Sequence, residues 1–338
     1  MRAALLREYH RPLELVDRPV PEPVRGTDVV VRIGGAGVCA TDLHAIDGLM
    51  EPAGVTLPRV LGHENAGWVA EVGPAVSSVA QGDAVIVYPP FSCGLCIACR
   101  RGNDMHCARH EFTGLSLDGG FADYVLVSER SLLRLPAGVE PAAVAPHADA
   151  GLTAYHAVRR LAPLLTPGTT AVVIGVGGVG HIALQLVREL GSSSVIAVDT
   201  DERRRKLAGE LGADEVIGGA PVDAVRELTG GRGADLVFDF VGTDASHADS
   251  GAMLARGGTY SVIGYGGTIS IPSGSLVVNE HAVVGNLVGT WPDLWELMAL
   301  HAAGRVTLKT ESHPLESVND VLDRLRQGEV TGRVVLVP

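Results

Sequence analysis

Four cysteines in the first third of the chain have the spacing of a metal site. Cys93, Cys96, Cys99 and Cys107 form the pattern C-x2-C-x2-C-x7-C. In a reducing compartment, four thiolates this close together bind one tetrahedral ion in preference to forming disulfides. Zinc is the default metal, and four protein ligands leave no position for a substrate, so the pattern predicts a structural site. An iron–sulfur cluster, which also uses closely spaced cysteines, is the alternative.

The fifth cysteine and a nearby histidine are weaker signals. Cys39 lies in the segment GVCATDLH, which ends at His44, and His63 lies in the segment Gly-His63-Glu64. A lone cysteine is usually a small buried hydrophobe. A lone histidine is more often a hydrogen-bonded core residue than a ligand. Neither residue predicts a catalytic metal by itself.

A glycine-rich segment follows an apolar run and precedes a predicted helix. The segment GVGGVG satisfies G-x-G-x-x-G, between the predicted strand Thr170–Ile174 and the predicted helix His181–Leu190. Glycines let such a turn close and let its backbone approach a pyrophosphate, whose charge then faces the helix start. We expect a dinucleotide site here, with a plain tight turn as the alternative. Its predicted cofactor-binding residues are Gly175, Gly177, Gly178, Val179 and Gly180.

An aspartate follows the next predicted strand, Ser194–Val198. Asp199 lies 19 residues after Gly180, where a carboxylate accepts hydrogen bonds from a ribose diol and repels a 2′-phosphate. The run from Arg203 through Arg204 to Arg205 either pairs with such a phosphate or forms a solvated helix face. The aspartate makes NAD the favoured cofactor over NADP.

The elements that position these residues fall into two types. Short segments separated by Gly and Pro predict an all-β lobe in the first third, at Asp28–Ile33, Gly67–Val72, Ala84–Tyr88 and Tyr124–Val127. Apolar runs then alternate with helical patterns, with further strands at Leu236–Phe240 and Tyr260–Ile263. This alternation predicts an α/β chain with a doubly wound parallel sheet. Helices at 293–303 and 318–326 and a strand at 333–337 follow.

Composition and charge exclude several classes of protein. The chain has 338 residues, of which 46% are hydrophobic and 20% charged, so it is too apolar for a disordered protein and long enough for two domains. Its net charge of −12 opposes docking on nucleic acid or anionic lipid. The first ten residues, MRAALLREYH, contain charged residues that interrupt any hydrophobic segment of a signal peptide, and no long apolar run follows. We therefore expect a cytoplasmic protein without membrane or nucleic-acid partners.

Taken in order, these features resemble the zinc-dependent medium-chain alcohol dehydrogenase family. Four features occur in the family's order: the Cys39 segment, the His63 segment, the four-cysteine lobe and the dinucleotide fingerprint. The resemblance covers essentially the whole chain. The resemblance implies a GroES-like β-barrel catalytic domain at 1–150, a Rossmann domain at 151–287 and a return to the catalytic domain at 288–338. It also implies one catalytic and one structural zinc ion per chain. A homodimer or homotetramer is expected, with the edge strand near 282–287 pairing between subunits.

The same resemblance assigns the catalytic zinc ligands. Cys39 and His63 match the family's first two ligands. Family members usually place a cysteine where this chain has Asp149, and zinc also accepts a carboxylate oxygen, so Asp149 is the predicted third ligand. His147 as the ligand, and no third ligand at all, are the alternatives. Some relatives that act on secondary alcohols resemble this chain in having aspartate at that place.

Further roles are carried over from the family. Thr41 and His44 match a proton relay that runs through the cofactor ribose, and a structural hydroxyl and a surface histidine are their alternatives. Asp42 is expected to orient His63, and Glu64 to approach the zinc ion transiently, unless either is an ordinary salt-bridge partner. Leu287 is expected to face substrate. The remaining cofactor residues implied by the resemblance are Thr153, Ile263, Val288 and, near the pyrophosphate, Arg333.

The predicted activity is hydride transfer between NAD and an alcohol, with secondary alcohols favoured, giving a ketone or aldehyde. The partner is then a small-molecule alcohol or ketone. A polyol or amino-alcohol dehydrogenase of the same superfamily is one alternative. A non-catalytic NAD(H)-binding sensor, in which the zinc sites only hold the fold, is the other.

Overall fold

A computed structural model describes residues 1–338, with the side chain of Ala53 left out. The backbone forms two compact units, one from residues 1–152 with 290–338 and the other from residues 153–289. The limits expected from the sequence, 150 and 287, lie two residues before these divisions. Among the described residues, no helix is both long enough and apolar enough to cross a membrane.

Strands and helices are numbered in chain order. The strands are β1 Arg2–Leu6, β2 Glu14–Asp17, β3 Asp28–Val38, β4 Arg59–Val60, β5 Glu64–Val72, β6 Ala84–Val87, β7 Pro90–Phe91, β8 Glu111–Phe112, β9 Tyr124–Ser128, β10 Leu132–Arg134, β11 Thr170–Ile174, β12 Ser194–Val198, β13 Glu215–Ile217, β14 Ala234–Asp239, β15 Leu254–Val262, β16 Ala282–Gly285, β17 Thr310–Pro314 and β18 Arg333–Val337. The helices are α1 Ala40–Ile46, α2 Ile97–Arg100, α3 Pro141–Val144, α4 Ala150–Leu161, α5 Gly180–Leu190, α6 Glu202–Glu210, α7 Pro221–Leu228, α8 Asp244–Met253, α9 Ser273–Asn279, α10 Trp291–Ala302 and α11 Val318–Arg326.

The first unit is built around one large sheet with the strand order β10-β6-β5-β3-β18-β17, in which β9 also pairs with β3. Two small sheets, β2-β1-β4 and β7-β8, complete it. The final strand β18 lies antiparallel to β3, with Val334 opposite Val38 and Leu336 opposite Ala36. Residues 290–338 therefore complete a sheet that residues 1–152 begin.

The second unit contains a six-stranded sheet with the order β13-β12-β11-β14-β15-β16, and every neighbouring pair is parallel. The chain order reverses between β11 and β14, so the predicted doubly wound parallel sheet is confirmed. All residues of β11 are buried, as expected of a strand covered on both faces. Strand β13 was not predicted, because three residues on a sheet edge are too few to show a hydrophobic pattern.

Apolar side chains from the strands and the flanking helices form the core of this second unit. Fully burying one aliphatic side chain contributes roughly 1.5–3 kcal/mol to the free energy of folding. This cluster therefore makes a large contribution to the stability of the second unit. Tyr260 is the polar exception, because its hydroxyl needs a partner inside the core. The buried members are Val172, Ile174, Ile196, Val198, Ile217, Val225, Ala234, Val237, Met253, Leu254 and Tyr260.

Candidate active site

The four cysteines predicted to bind a structural metal converge in the first unit. The Sγ atoms of Cys93, Cys96, Cys99 and Cys107 all lie within 4.8 Å of one another. Cys96 precedes α2 and Cys99 lies within it, which brings their Sγ atoms to 3.5 Å. In the described part of the chain, none of these cysteines is joined in a disulfide. Sulfur atoms at these separations fit one zinc ion with bonds of about 2.3 Å.

Backbone amides support the thiolate form in this cluster. The N–H groups of Cys93 and Arg109 each donate to Cys107 Sγ at 3.3 Å. Backbone N–H groups, that of Cys99 foremost, lower the pKa of Cys96 to about 6. Burial raises the pKa of Cys99 to about 12, so this thiol needs a metal to ionise at neutral pH. The donor set fits a tetrahedral zinc ion.

A second cluster joins three separate segments of the first unit. Ligand atoms of Cys39, His63, Glu64 and Asp149 all lie within 4.8 Å of one another. Cys39 follows β3 and precedes α1, while His63 directly precedes β5 and Glu64 is its first residue. Asp149 lies between the 3-10 turn Ala145–Ala148 and α4. The structure thus brings together the three predicted catalytic ligands and Glu64, which was expected to approach the zinc ion.

Asp42 connects the helix start to the imidazole. One of its carboxylate oxygens accepts the backbone N–H of Cys39 at 2.8 Å, and the other lies 3.2 Å from His63 Nδ1. The opposite ring nitrogen, Nε2, lies 3.4 Å from the Asp149 carboxylate. A carboxylate on one nitrogen fixes the ring orientation and leaves the other nitrogen for a metal. This geometry supports the predicted orienting role of Asp42.

Negative charge exceeds positive charge around His63. Its side chain is 1% exposed and that of Asp42 is 0% exposed, whereas that of Asp149 is 14% exposed. Burial acts to lower the pKa of His63, but the charge of Asp42 and the hydrogen bond with Asp149 raise it well above the ordinary value. A divalent cation balances one thiolate and one carboxylate with a neutral imidazole. The residues therefore fit a zinc ion with three protein ligands.

Glu64 makes a buried ion pair, which was the alternative to its expected approach to zinc, and its partner is Arg333. Its carboxylate contacts the Arg333 guanidinium and accepts the backbone N–H of Ala150 at 3.1 Å. Burial acts to lower the pKa of Arg333, but the neighbouring Glu64 and Cys39 raise it above the ordinary value. Arg333 therefore lies against the metal-ligand cluster, and its expected contact with a pyrophosphate remains a prediction. A pair so far apart in the sequence leaves no periodic signal.

The alternative ligand, His147, has a different contact. Its Nε2 lies 3.1 Å from His301 Nδ1, and the two rings meet edge to face. Among the described residues, the metal-ligand cluster contains Asp149 and does not contain His147. This placement favours Asp149 as the third ligand.

The two residues of the predicted proton relay lie on α1. Thr41 Oγ1 is 3.8 Å from Cys39 Sγ. His44 is three residues further on, which places both side chains on one face of the helix. Burial lowers the pKa of His44, so it is neutral and able to accept a proton near pH 7. Their relay role remains a prediction.

The dinucleotide turn requires glycine at two of its positions, Gly175 and Gly180. Gly175 has φ 85°, and its N–H donates to the Val198 carbonyl at 2.8 Å. At Gly180, where α5 begins, a Cβ atom would overlap the Gly175 carbonyl. Only glycine has no Cβ and tolerates a positive φ freely. The turn thus presents backbone at the carboxyl end of β11, where a pyrophosphate is bound in such sheets.

Asp199 holds this turn as well as ending β12. Its carboxylate accepts the N–H of Val176 at 2.8 Å and that of Asp201 at 2.9 Å, and the residue is 7% exposed. Arg203 pairs with Asp201 at 2.6 Å, and Arg205 donates to backbone carbonyls at the end of β12. Arg203 and Arg205 are therefore engaged by the protein itself, which reduces their availability to a 2′-phosphate.

The other predicted cofactor residues are spread over the second unit. Arg204 is half-buried on α6, Thr153 lies on α4, and Ile263 follows β15. Val288 has φ 42°, which is unusual for a β-branched residue. Gly177, Gly178 and Val179 lie between β11 and α5. Their contacts with a cofactor remain predictions.

Comparison with known proteins identifies the family. Residues 25–137 match the model described as "Alcohol dehydrogenase GroES-like domain", and residues 178–303 match the model described as "Zinc-binding dehydrogenase". An NAD-dependent alcohol dehydrogenase from Sulfurisphaera tokodaii is 36% identical over the full length of both chains. The chain belongs to the zinc-dependent medium-chain alcohol dehydrogenase family.

Two further members of this alcohol dehydrogenase family show the range of its relatives. The crystal structure of the alcohol dehydrogenase from Aeropyrum pernix is 44% identical, covers 100% of both chains and superposes with a TM-score of 0.98. A D-arabinose 1-dehydrogenase (NADP(+)) from Saccharolobus solfataricus is 35% identical and covers 100% of this chain and 97% of its own. The predicted GroES-like and Rossmann folds are confirmed.

Proposed function

We propose that this chain is a zinc-dependent alcohol dehydrogenase that oxidises secondary alcohols to ketones with NAD, and catalyses the reverse reduction. The observation that carries this proposal is the convergence of Cys39 Sγ, His63 Nε2 and the Asp149 carboxylate in one buried cluster. Three protein ligands leave a coordination position open, which is the arrangement of a catalytic rather than a structural zinc site. The four-cysteine cluster holds the structural zinc ion.

The residues of the cluster have separate tasks. Cys39, His63 and Asp149 hold the metal, and Asp42 keeps the imidazole in one orientation. Bound zinc supplies Lewis-acid stabilisation of negative charge on the substrate oxygen, and bound NAD supplies the hydride acceptor. In the oxidation, the alcohol carbon loses a hydride, its oxygen loses a proton, and a carbonyl group forms.

The proton must be carried away by the protein. Thr41 lies beside Cys39, and His44 follows on the same face of α1. We assign proton transfer to these two side chains, with the Thr41 hydroxyl as donor and acceptor and the His44 imidazole as the final acceptor. The lowered pKa of His44 keeps its imidazole available as a base near neutrality.

The cofactor preference rests on Asp199. Its buried carboxylate ends β12, and a 2′-phosphate at that position would meet like charge. The engagement of Arg203 and Arg205 by Asp201 and by backbone carbonyls supports the same preference. We therefore propose NAD rather than NADP.

A homodimer or homotetramer is part of the proposal. The parallel sheet ends in the edge strand β16, on which Val283 is 39% exposed. An apolar sheet edge is stabilised by pairing with another strand. A second copy of this chain supplies such a strand, as expected from the sequence.

The activity is tested with 2-propanol, 1-propanol and glycerol, measuring NADH formation and bound zinc in the parent and in Asp149→Ala. The parent should bind two zinc ions and oxidise 2-propanol fastest. Asp149→Ala should retain about one zinc ion, in the four-cysteine site, and lose more than about 100-fold in rate. The substitution removes one ligand of the catalytic zinc ion and leaves the four cysteines of the structural site unchanged.

His147→Asn is the control, because it alters the alternative ligand and leaves the Asp149 carboxylate in place. It should retain both zinc ions. If Asp149→Ala retains two zinc ions and His147→Asn loses one, the ligand assignment is wrong. If glycerol is oxidised faster than 2-propanol, the polyol alternative replaces the secondary-alcohol proposal. NADH binding without turnover of any alcohol would favour the sensor.

A further inference from the structure

Asp239 is a buried carboxylate at the end of β14 with no role in the site described above. It is 0% exposed. One of its oxygens accepts the backbone N–H groups of Val241 at 2.8 Å and Gly242 at 3.1 Å. The other accepts the hydroxyl groups of Ser246 at 2.8 Å and Tyr260 at 3.0 Å. Four donors match the four acceptor sites of a carboxylate, so its position is fully determined.

A histidine completes this group, which we call the Asp239 network and define as Asp239, Ser246, His247 and Tyr260. His247 Nδ1 lies 2.5 Å from the Tyr260 hydroxyl and 3.4 Å from the Asp239 carboxylate. Burial raises the pKa of Tyr260, and the charge of Asp239 adds to the effect, so the hydroxyl keeps its proton. Tyr260 thus donates to Asp239 and accepts from His247. All of these side chains are buried.

The turn that Asp239 holds is packed against two other turns. A Cβ atom at Gly175 would lie 2.6 Å from Val241 Cγ2, and a Cβ atom at Gly264 would lie 2.5 Å from the Val241 carbonyl carbon. The N–H of Gly264 donates to the Asp239 carbonyl at 2.8 Å. The turns after β11, β14 and β15 are therefore packed together, with Val241 between Gly175 and Gly264.

The place of this group in the sheet indicates what it serves. The strand order reverses between β11 and β14, and Asp239 ends β14 beside the Gly175 turn. In open parallel sheets, ligands bind outside the carboxyl ends of the strands at this reversal. The half of the sheet formed by β11, β12 and β13 binds one mononucleotide of a dinucleotide, and the half formed by β14, β15 and β16 binds the other.

We propose that Asp239 is a positioning residue for the nicotinamide half of the cofactor, acting through the turn Phe240–Gly242. Asp239 itself touches no ligand, because it is buried beneath that turn. It fixes the Val241 and Gly242 backbone against the Gly175 turn, and Tyr260, Ser246 and His247 hold its carboxylate in place. The inference rests on the proposed function, since it takes NAD as the ligand.

The test uses Asp239→Asn, which preserves the shape of the side chain but replaces an ionised acceptor with a neutral amide. Hydrogen bonds to a charged group are about twice as strong as neutral ones, so the dissociation constant for NADH should rise about 5-fold to 10-fold. The constant for AMP, which needs only the half of the sheet that carries Asp199, should change by less than about 2-fold. Both are measured by fluorescence titration, well below the unfolding temperature.

Val225→Ala is the matched control, because Val225 is buried in the same core but is not a member of the Asp239 network. It should lower the unfolding temperature while changing both constants by less than about 2-fold. Tyr260→Phe removes one donor to Asp239 and keeps the ring, and it should weaken NADH binding about 3-fold. If Asp239→Asn does not fold, the dissociation constant of NADH for Tyr260→Phe tests the inference instead.

Three results would overturn the inference. They are unchanged NADH binding in Asp239→Asn, an equal loss in Val225→Ala, and a loss of AMP binding as large as the loss of NADH binding. Failure of the proposed function has a different signature, namely a parent protein that binds NADH but oxidises no alcohol. The comparison of dissociation constants is valid in that case as well, so the two failures are distinguishable.

Discussion

Individual aspartate carboxylates in this protein accept backbone N–H groups and also lie at a predicted functional site. Asp42 accepts an N–H group from Cys39 and faces His63. Asp199 accepts N–H groups from Val176 and Asp201. A carboxylate with both oxygens engaged has one orientation, so it presents its charge to a ligand without further ordering cost. Substituting such a residue changes both the local backbone and the site.

Asp199→Asn removes the charge of Asp199 and keeps one of its two backbone hydrogen bonds. The amide oxygen still accepts the Val176 N–H, while the repulsion of a 2′-phosphate is lost. We expect the dissociation constant of NADH to rise and that of NADPH to fall, shifting the preference by about 10-fold or more. Fluorescence titration with both nucleotides measures the shift.

Asp214→Asn is the control for this prediction. Asp214 accepts the N–H of Val195 at 2.7 Å, at the amino end of the same strand and away from the dinucleotide turn. It should leave the preference unchanged. A parent protein that binds NADPH as tightly as NADH would contradict the assigned role of Asp199.

Elements whose patterns are local could be predicted from the sequence. The strands β11 and β12 begin and end at the expected residues, because apolar runs flanked by glycine or aspartate mark buried parallel strands. The four-cysteine cluster is local as well, since all its ligands lie within residues 93–107. The proposed catalytic ligands come from three distant segments, and a family resemblance was needed to group them.

The pairing of β3 with β5 shows what sequence patterns leave out. Gly37 lies opposite Glu64, and a Cβ atom on Gly37 would overlap the Glu64 carboxylate. The Glu64 ion pair with Arg333 likewise depends on the approach of β5 and β18 to β3. No local period encodes contacts between strands so far apart in the chain, so these features had to come from the structure.

Gly37→Ala tests whether this strand pairing positions the catalytic ligands. The added methyl group must displace Glu64, next to His63, and forcing such overlap into a packed site costs about 1–3 kcal/mol. We expect the bound zinc to fall from two ions to about one, with the four-cysteine site retained. Zinc analysis after dialysis and thermal unfolding measure the two effects.

Gly209→Ala provides the comparison, since a Cβ atom at Gly209 on α6 meets nothing within 4 Å. It should retain both zinc ions and gain a few tenths of a kcal/mol, up to about 1, from helix propensity. Two zinc ions in Gly37→Ala would show that Glu64 moves without disturbing the ligands, contrary to the expectation.

At the scale of the whole molecule, the chain leaves its first unit at residue 152 and returns to it at residue 290. The returning segment supplies β18, which pairs with the end of β3 just before Cys39, and Arg333, which pairs with Glu64. The second unit is one continuous segment, and its whole sheet comes from residues 153–289. The two units therefore depend differently on the carboxyl-terminal segment.

Truncation after Gly289 exploits that difference. It removes the partner of the Val38 end of β3 and leaves Glu64 buried without its cation, a loss that costs about 3–5 kcal/mol when one partner of a buried pair is removed. The catalytic zinc ion should be lost, while AMP binding by the second unit is retained. Arg333→Met in the full chain keeps β18 and removes only the charge, so it should lose less zinc than the truncation does. Zinc analysis and AMP titration on the same samples distinguish these results. A truncated chain that binds two zinc ions would show that the first unit does not need its returning segment.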